Sequence, residues 1–179
     1  MRMSYTIAGL FFAFLFAIAS VTPATARMDA ALAAVTVEPA SRDRTVYPLP
    51  RSLTPLLPLW QAALQDAVTR QGIFRPDAAR RVSIVVKVLE FSLSGNILSV
   101  FARYQVFDDP AGNPLFSADI MSNVGLSSLA TGVTSLDDPA IATQNRTPVI
   151  RAIQDNITQF LDQLQAFARQ PHGATPPRP

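Results

Sequence analysis

Few residues in this 179-residue chain could do chemistry. The sequence has no cysteine, which excludes a thiol nucleophile and a thiolate zinc site. Its one histidine, His172, lies in a proline-rich tail, where nothing would hold a general base in position. Its one lysine, Lys87, falls on the polar face of a predicted strand, and we interpret it as a surface group. We therefore predict no catalytic residue, cofactor or metal, and expect a protein that is not an enzyme.

Two further polar groups could bind ions. Arg75, Arg80 and Arg81 cluster before a predicted strand and are candidate contacts for a phosphate or an acidic head group. The alternative is a solvated cluster at the entrance of a strand. The pairs Asp108-Asp109 and Asp137-Asp138 lie at turns or before proline, and they lack the alternating ligands of a calcium loop. We interpret both pairs as turn and cap residues.

The first 26 residues predict export. Arg2 precedes an apolar run from Ile7 to Val21, and Ala24-Thr25-Ala26 places small residues where signal peptidase needs them. The run is shorter than the roughly 20 residues that a membrane-spanning helix needs, so we expect removal rather than retention as an anchor. A second site, Ala31-Leu32-Ala33, leaves two cleavage positions open.

The charge and the length of the chain that remains after cleavage limit its function and its domain count. Without Arg2 it has 14 basic and 13 acidic side chains, a balance that excludes a nucleic-acid binder that neutralises many phosphates. An exported chain without cysteine favours a bacterial periplasm. Residues 27–169 suit a single domain that buries roughly two thirds of its unfolded surface, and residues 170–179 predict a disordered tail.

The apolar pattern predicts the element order β-α-β-β-β-α. Residues 34–39 alternate as a strand, and residues 58–71 place apolar groups on one helical face, with Trp60 in the core and Gly72 as a C-cap. Three strand-like runs follow between Arg81 and Gly125, and helical spacing continues from Pro148 for nearly six turns. We predict an α+β two-layer sandwich in which two helices cover one face of an antiparallel sheet of about four strands.

Side-chain parity predicts the covered face. The regularly spaced apolar residues of the three runs are all even-numbered: Val82, Ile84, Val86, Val88, Leu98, Val100, Ala102, Tyr104, Val106, Phe116, Ala118, Ile120 and Val124. Antiparallel partners keep a constant index sum, so even residues oppose even residues only across a loop of odd length. We therefore predict a loop Leu93-Ser94-Gly95 that sets Val88 against Val100, and a second turn that pairs Phe107 with Leu115.

The odd-numbered face carries an apolar group that a simple sandwich does not explain. It lies near the first hairpin, away from the helices, and consists of Leu89, Phe91, Leu93, Ile97 and Phe101. Farther along, the same face is polar. An apolar patch with a polar rim is typical of an interface or a lipid contact. The alternative is that the segment 40–53 or the segment 126–136 covers it.

The arrangement from Val35 to Phe167 resembles that of small envelope proteins of Gram-negative bacteria. Its most familiar parts are the stretch RYQVFDDPAGNPLFSADI and the closing helix RTPVIRAIQDNITQFLDQL. They are similar to the auxiliary lipoproteins of ABC-type lipid transport systems and to the lipopolysaccharide-assembly lipoprotein group. Those families carry a lipid-attachment cysteine after the signal, where this chain has Arg27. The resemblance implies a periplasmic member that is not lipidated and reaches a membrane through a partner.

We therefore expect a non-catalytic periplasmic interaction or assembly module, accessory to an envelope transport system. It would bind an envelope protein or itself through the outer sheet face or an open sheet edge. The alternative is a periplasmic carrier of a lipid or another apolar ligand, with the outer apolar group and the segment 126–136 forming its pocket. Neither hypothesis involves nucleic acid or a membrane span after signal removal.

Overall fold

The computed structural model describes residues 27–40, 51–109, 112, 114–125 and 146–170. Its main elements, in chain order, are β1 (Ala31–Pro39), α1 (Leu57–Gln71), β2 (Arg81–Ser94), β3 (Ile97–Asp109), β4 (Pro114–Gly125) and α2 (Arg146–Ala168). A short 3-10 helix, Arg51–Leu56, leads into α1. No helix in this part of the chain combines the length and the hydropathy needed to cross a membrane.

The four strands form one sheet in the order β1-β2-β3-β4. Both helices pack on the same face, α1 on β1 and α2 on β3 and β4, which confirms the predicted α+β fold with a sheet covered by helices. The sheet is mixed rather than antiparallel throughout, because β1 pairs with β2 in parallel, with Val35 opposite Ile84. A parallel pair needs a long crossover, and α1 lies in the connection between the two strands.

The even-numbered face of β2, β3 and β4 forms the core, as parity predicts. Its fully buried members include Val82, Ile84, Val86, Val100, Ala102, Tyr104 and Val106. The helices contribute one buried stripe each: Trp60, Leu64 and Val68 from α1, and Val149, Ala152, Ile153, Ile157, Phe160, Leu161 and Leu164 from α2. Burial of this apolar surface, at roughly 25 cal/mol per Å², supplies most of the stability.

An aromatic cluster joins both helices to β3. The Trp60 indole Nε1 donates a hydrogen bond of 3.2 Å to the Tyr104 hydroxyl. The Tyr104 ring stacks on Phe160 of α2, with centroids 4.3 Å apart and planes 14° apart. Burial raises the pKa of Tyr104 far above its ordinary value, so this hydroxyl stays neutral. Trp60 is a core residue, as predicted.

A buried polar contact fixes α2 on the sheet. The Asn156 side-chain amide donates to the backbone oxygens of Ile120, at 3.2 Å, and Val100, at 3.3 Å. The Ser122 hydroxyl, also buried, donates to the backbone oxygen of Ala152 at 2.8 Å. These bonds hold α2 at one position along β3 and β4, because a shifted helix would leave buried polar groups unpaired.

The first hairpin does not have the predicted register. Its turn is the two-residue Gly95-Asn96, with Ser94 opposite Ile97 and Gly95 in the left-handed region at φ 55°. A two-residue turn alone would set even residues against odd ones along the whole pair. A β-bulge at Leu89 prevents this, because it adds one unpaired residue to β2.

The bulge changes which side chains face the helices. Before it, Val88 lies opposite Ala102, and after it, Glu90 lies opposite Phe101. Up to Val88, the even-numbered residues of β2 lie opposite even-numbered residues of β3 and point toward the core. Beyond Leu89, the odd-numbered residues of β2 point toward the core instead. A second irregularity lies between Val106 and Phe107. It pairs Phe107 with Pro114 instead of the predicted Leu115.

Deletion of Leu89 should leave the fold intact. Without the extra residue, Val88, Glu90 and Phe91 would alternate regularly and every apolar side chain would keep its face. Deletion of Lys87, which is not at a bulge, should abolish folding because it turns one half of β2 over. Urea unfolding followed by circular dichroism measures both. A cooperative transition in the Lys87 deletion, or its loss in the Leu89 deletion, would contradict the proposed role of the bulge.

Tyr104→Phe should destabilise the protein by about 1–3 kcal/mol, because it leaves the buried Trp60 N–H without an acceptor. The measurement is the free energy of unfolding in urea. Trp60→Phe in the same background provides the control: with both partners removed, the effects of the two changes should be less than additive. Additive effects would mean that the hydrogen bond does not stabilise the fold.

Candidate interaction surface

The face of the sheet opposite the helices is the outer face. A row of charged side chains crosses it, one from each strand: Glu38, Lys87, Arg103 and Asp119. Each residue of the row lies beside a buried inward residue on its own strand, and strand alternation therefore turns it outward. The row divides the outer face into a half near the first hairpin and a half near the second.

Arg103 and Asp119 form the best-defined ion pair of this row. The guanidinium donates two parallel hydrogen bonds to the carboxylate, at 2.6 and 2.7 Å. The hydrogen bond from Arg103 lowers the pKa of Asp119 below its ordinary value. Both side chains are more than two fifths exposed, so water and salt screen the attraction and the pair contributes little stability.

An apolar group lies between the charged row and the tip of the first hairpin. Phe101 and Met121 stand opposite each other on β3 and β4, and Ile97 lies four residues before Phe101 on the same face. Met121 is 52% exposed and Ile97 50%, while Phe101 is half-buried. Ser99 lies between them and donates a 2.7 Å hydrogen bond to the Asn123 side chain. We call Ile97, Phe101 and Met121 the outer patch.

Two of the five predicted interface residues belong to the core instead. Phe91 is 4% exposed and meets the Trp60 ring edge-on, with centroids 6.4 Å apart. Leu93 packs against the same core. The physical reason is the bulge at Leu89, which reverses the faces of all later residues of β2. Leu89 itself is half-buried at the bulge, so only Ile97 and Phe101 lie where the sequence predicts them.

The sequence reasoning missed Met121. The signal was available, because Met121 is an odd-numbered apolar residue whose neighbours at odd positions, Asp119 and Asn123, are polar. Strand alternation places it on the same face as Phe101. Its register opposite Phe101 enlarges the outer patch toward β4.

The three candidate anion contacts do not form a joint site. Arg75 pairs with Asp29 at 3.3 Å and with Asp77 at 3.1 Å. Arg80 forms two hydrogen bonds with Asp108, at 3.0 and 2.8 Å. These bonds lower the pKa of Asp77 and Asp108, because each arginine donates a hydrogen bond to the carboxylate. Arg81 is exposed at the start of β2, opposite Asp109.

Some predicted features lie outside the described residues. They are the signal segment 1–26, the segment 126–136, the pair Asp137-Asp138 and His172 in the tail. The segment 40–53 is described only at residue 40 and from residue 51 onward. In the part of the chain that the structure does describe, no three His, Cys, Asp or Glu side chains come together as a metal site requires.

No protein-family model matches the sequence, and no curated protein matches it. Several solved structures are similar. A hypothetical protein of Chlamydia trachomatis is 10% identical, with a TM-score of 0.48 over 78% of this chain and 96% of that one. The PelC dodecamer of Paraburkholderia phytofirmans is 15% identical, with a TM-score of 0.46, over 81% and 93%. A minor lipoprotein of Acinetobacter baumannii is 16% identical, with a TM-score of 0.43, over 74% and 92%. These similarities assign no function.

The Arg103–Asp119 pair should make the stability depend on acid pH. A carboxylate with a lowered folded pKa contributes stability that is present above its unfolded pKa, about 3.9, and is lost as the pH falls through the folded value. Arg103→Gln should therefore lower stability slightly at pH 7, and the difference from the wild type should shrink below about pH 4. Urea unfolding between pH 7 and pH 2.5 measures it.

Arg151→Gln is the matched control. Arg151 is exposed on α2 and has no ion pair among the residues that the structure describes. Its substitution should leave the acid dependence of stability as it is in the wild type. A difference for Arg103→Gln that stays constant or grows on acidification would show that the pair does not lower the pKa of Asp119.

Proposed function

We propose that this protein is a non-catalytic interaction module of the bacterial cell envelope, accessory to a transport or assembly system, which binds a protein partner through the outer patch. The observation that carries the proposal is the position of Ile97 and Met121. Both are about half exposed, and both lie on the face of the sheet that the helices leave uncovered. Exposed apolar groups with a polar rim are typical of protein interfaces.

The open edge of the sheet supports the proposal that a partner binds at the outer patch. β4 is the last strand in the sheet order, and no further strand of the described chain pairs with it. Its free backbone groups could accept a strand from a partner, a common way to bind extended segments. The edge adjoins Met121, so a partner on β4 would also contact the outer patch. The Arg103–Asp119 pair lies directly beside the patch and would give the interface a polar rim.

Two features of the sequence support the remaining parts of the proposal. The single histidine, His172, and the lack of cysteine leave few groups for acid-base or nucleophilic chemistry, which favours a binding role. The secretory pattern of residues 1–26 favours export to the periplasm.

A bulge and proline make β1 a poor edge for pairing, which leaves β4 as the edge available to a partner.

The test combines crosslinking with substitution. The photoreactive residue p-benzoylphenylalanine at position 121 should give a covalent adduct with one protein in the native host, whereas the same residue at position 62, on the exposed side of α1, should not. Adding Phe101→Asp should abolish the adduct, because it places a carboxylate in the apolar contact. Sedimentation of the purified protein tests whether the partner is a second copy.

Stability measurements distinguish binding from folding. Phe101→Asp should retain cooperative unfolding, whereas Phe91→Asp should destabilise the protein strongly because it would bury a carboxylate beside Trp60. Equal adducts from positions 121 and 62 would contradict the proposal. The alternative, a lipid carrier, predicts stoichiometric lipid in the purified protein that is lost with Phe101→Asp, and no protein adduct.

A further inference from the structure

A cleft of about 450 Å³ lies at the opposite edge of the sheet, between the start of β1 and the second half of α1. Its apolar wall includes Leu32, Val68 and Phe74, of which Val68 and Phe74 are buried in the core cluster. Arg27 and Thr69 line it with polar groups. It is separate from the outer patch, which lies on the other face toward β4.

The cleft exists because small residues meet at an irregularity. A β-bulge at Ala33 shifts the register of β1 between Leu32 and Ala34, which leaves Ala33 without a partner on β2. α1 ends at Gly72, whose backbone is left-handed at φ 60°. Ala33, Ala34 and Gly72 all line the cleft, and none of them has a side chain that could fill it.

The segment before β1 holds one side of the cleft in place. The Met28 N–H donates to the Ile73 oxygen at 2.7 Å, and the Arg75 N–H donates to the Ala30 oxygen at 2.9 Å. Met28 and Ala30 are buried. The backbone of Met28 and Ala30, which follow Arg27, is therefore fixed to the loop after α1.

Arg27 supplies a positive charge whose nearest carboxylate, Asp77, attracts it without forming a direct ion pair. Its guanidinium Nη2 would be 3.9 Å from a Cβ at Gly72, which places it at the end of α1. Among the described residues it makes no ion pair. The nearby Asp77 is hydrogen-bonded to Arg75 instead. A cation at the rim of an apolar cleft is complementary to a ligand with an anionic head and an apolar body.

We propose that this cleft binds a small single-chain anionic amphiphile, such as a fatty-acid carboxylate or an alkyl phosphate. The head would bind Arg27, and the chain would lie along Leu32, Val68 and Phe74. The volume is near the lower end of the range for small-molecule sites, which suits one chain rather than a two-chain phospholipid. A peptide strand fits less well, because the bulge at Ala33 and the terminal Pro39 interrupt the edge of β1.

The test is isothermal titration calorimetry of the purified protein with decanoate. Saturable binding of one decanoate per chain is expected. Arg27→Gln should weaken it about tenfold, the loss expected for one exposed charge-assisted hydrogen bond. Ala33→Phe should abolish it by filling the cleft. If Ala33→Phe does not fold, Thr69→Phe, on the exposed side of the cleft, provides the same block.

Matched controls distinguish binding in the cleft from non-specific binding of decanoate elsewhere on the protein. Arg151→Gln and Ala62→Phe change the same residue types at exposed positions on the helices and should bind decanoate as the wild type does. Phe101→Asp should also bind normally, so failure of the proposed partner surface would not affect this result. Decyltrimethylammonium, which has a similar chain and the opposite charge, should bind at least tenfold more weakly.

Several outcomes would overturn the proposal. The first is an absence of saturable decanoate binding. The second is decanoate binding that both single variants, Arg27→Gln and Ala33→Phe, leave unchanged. The third is binding of decyltrimethylammonium as tight as that of decanoate. Inorganic phosphate that binds as tightly as decanoate would show a head-group site without a chain site. Binding to phosphatidylglycerol vesicles without binding of decanoate would show a membrane surface contact instead of a cleft ligand.

Discussion

The structure depends on one constraint, the alternation of side chains along β2, β3 and β4. All three strands must turn their apolar residues toward the same two helices, so the two hairpins must preserve the parity of the pairing. The first hairpin has a tight Gly95-Asn96 turn, which breaks that parity. One inserted residue, Leu89, restores it. The core on one face of the hairpin and the exposed surface on its other face therefore both depend on a single bulge.

The same bulge decides what the outer face can do. It turns Phe91 and Leu93 inward, where Phe91 meets Trp60, and it leaves a smaller apolar group that extends toward β4 through Met121. A surface of this kind is too small to form a stable interface by itself, since such interfaces bury about 800 Å² on each partner. It needs a neighbouring element, and the free edge of β4 is in the right place to provide one.

The sequence predicts the periodic features well and the irregular ones poorly. Alternation and helical spacing correctly place Trp60, the even-numbered core and both helices, because burial repeats along each element. The bulge at Leu89 leaves one signal, the change of apolar residues from even positions to the odd positions Phe91 and Leu93. An outer apolar group explains that change equally well, and a three-residue loop then satisfies parity. The ion pairs Arg75–Asp29 and Arg80–Asp108 join residues far apart in the chain, and only the folded arrangement shows that these carboxylates occupy the two arginines. A cleft formed by Ala33 and Gly72 is a lack of side chains, which no motif records.

The outer patch and the cleft lie at opposite edges and on different faces of the sheet, with the filled core between them. Energetic coupling between two sites requires an element with two arrangements that both ligands bias. The groups that separate them are closely packed: Tyr104 stacks on Phe160, and Asn156 bonds to two strands at once. Such a core transmits small strains but does not switch easily. A partner on β4 and an amphiphile beside β1 would therefore bind independently, and the protein could hold both.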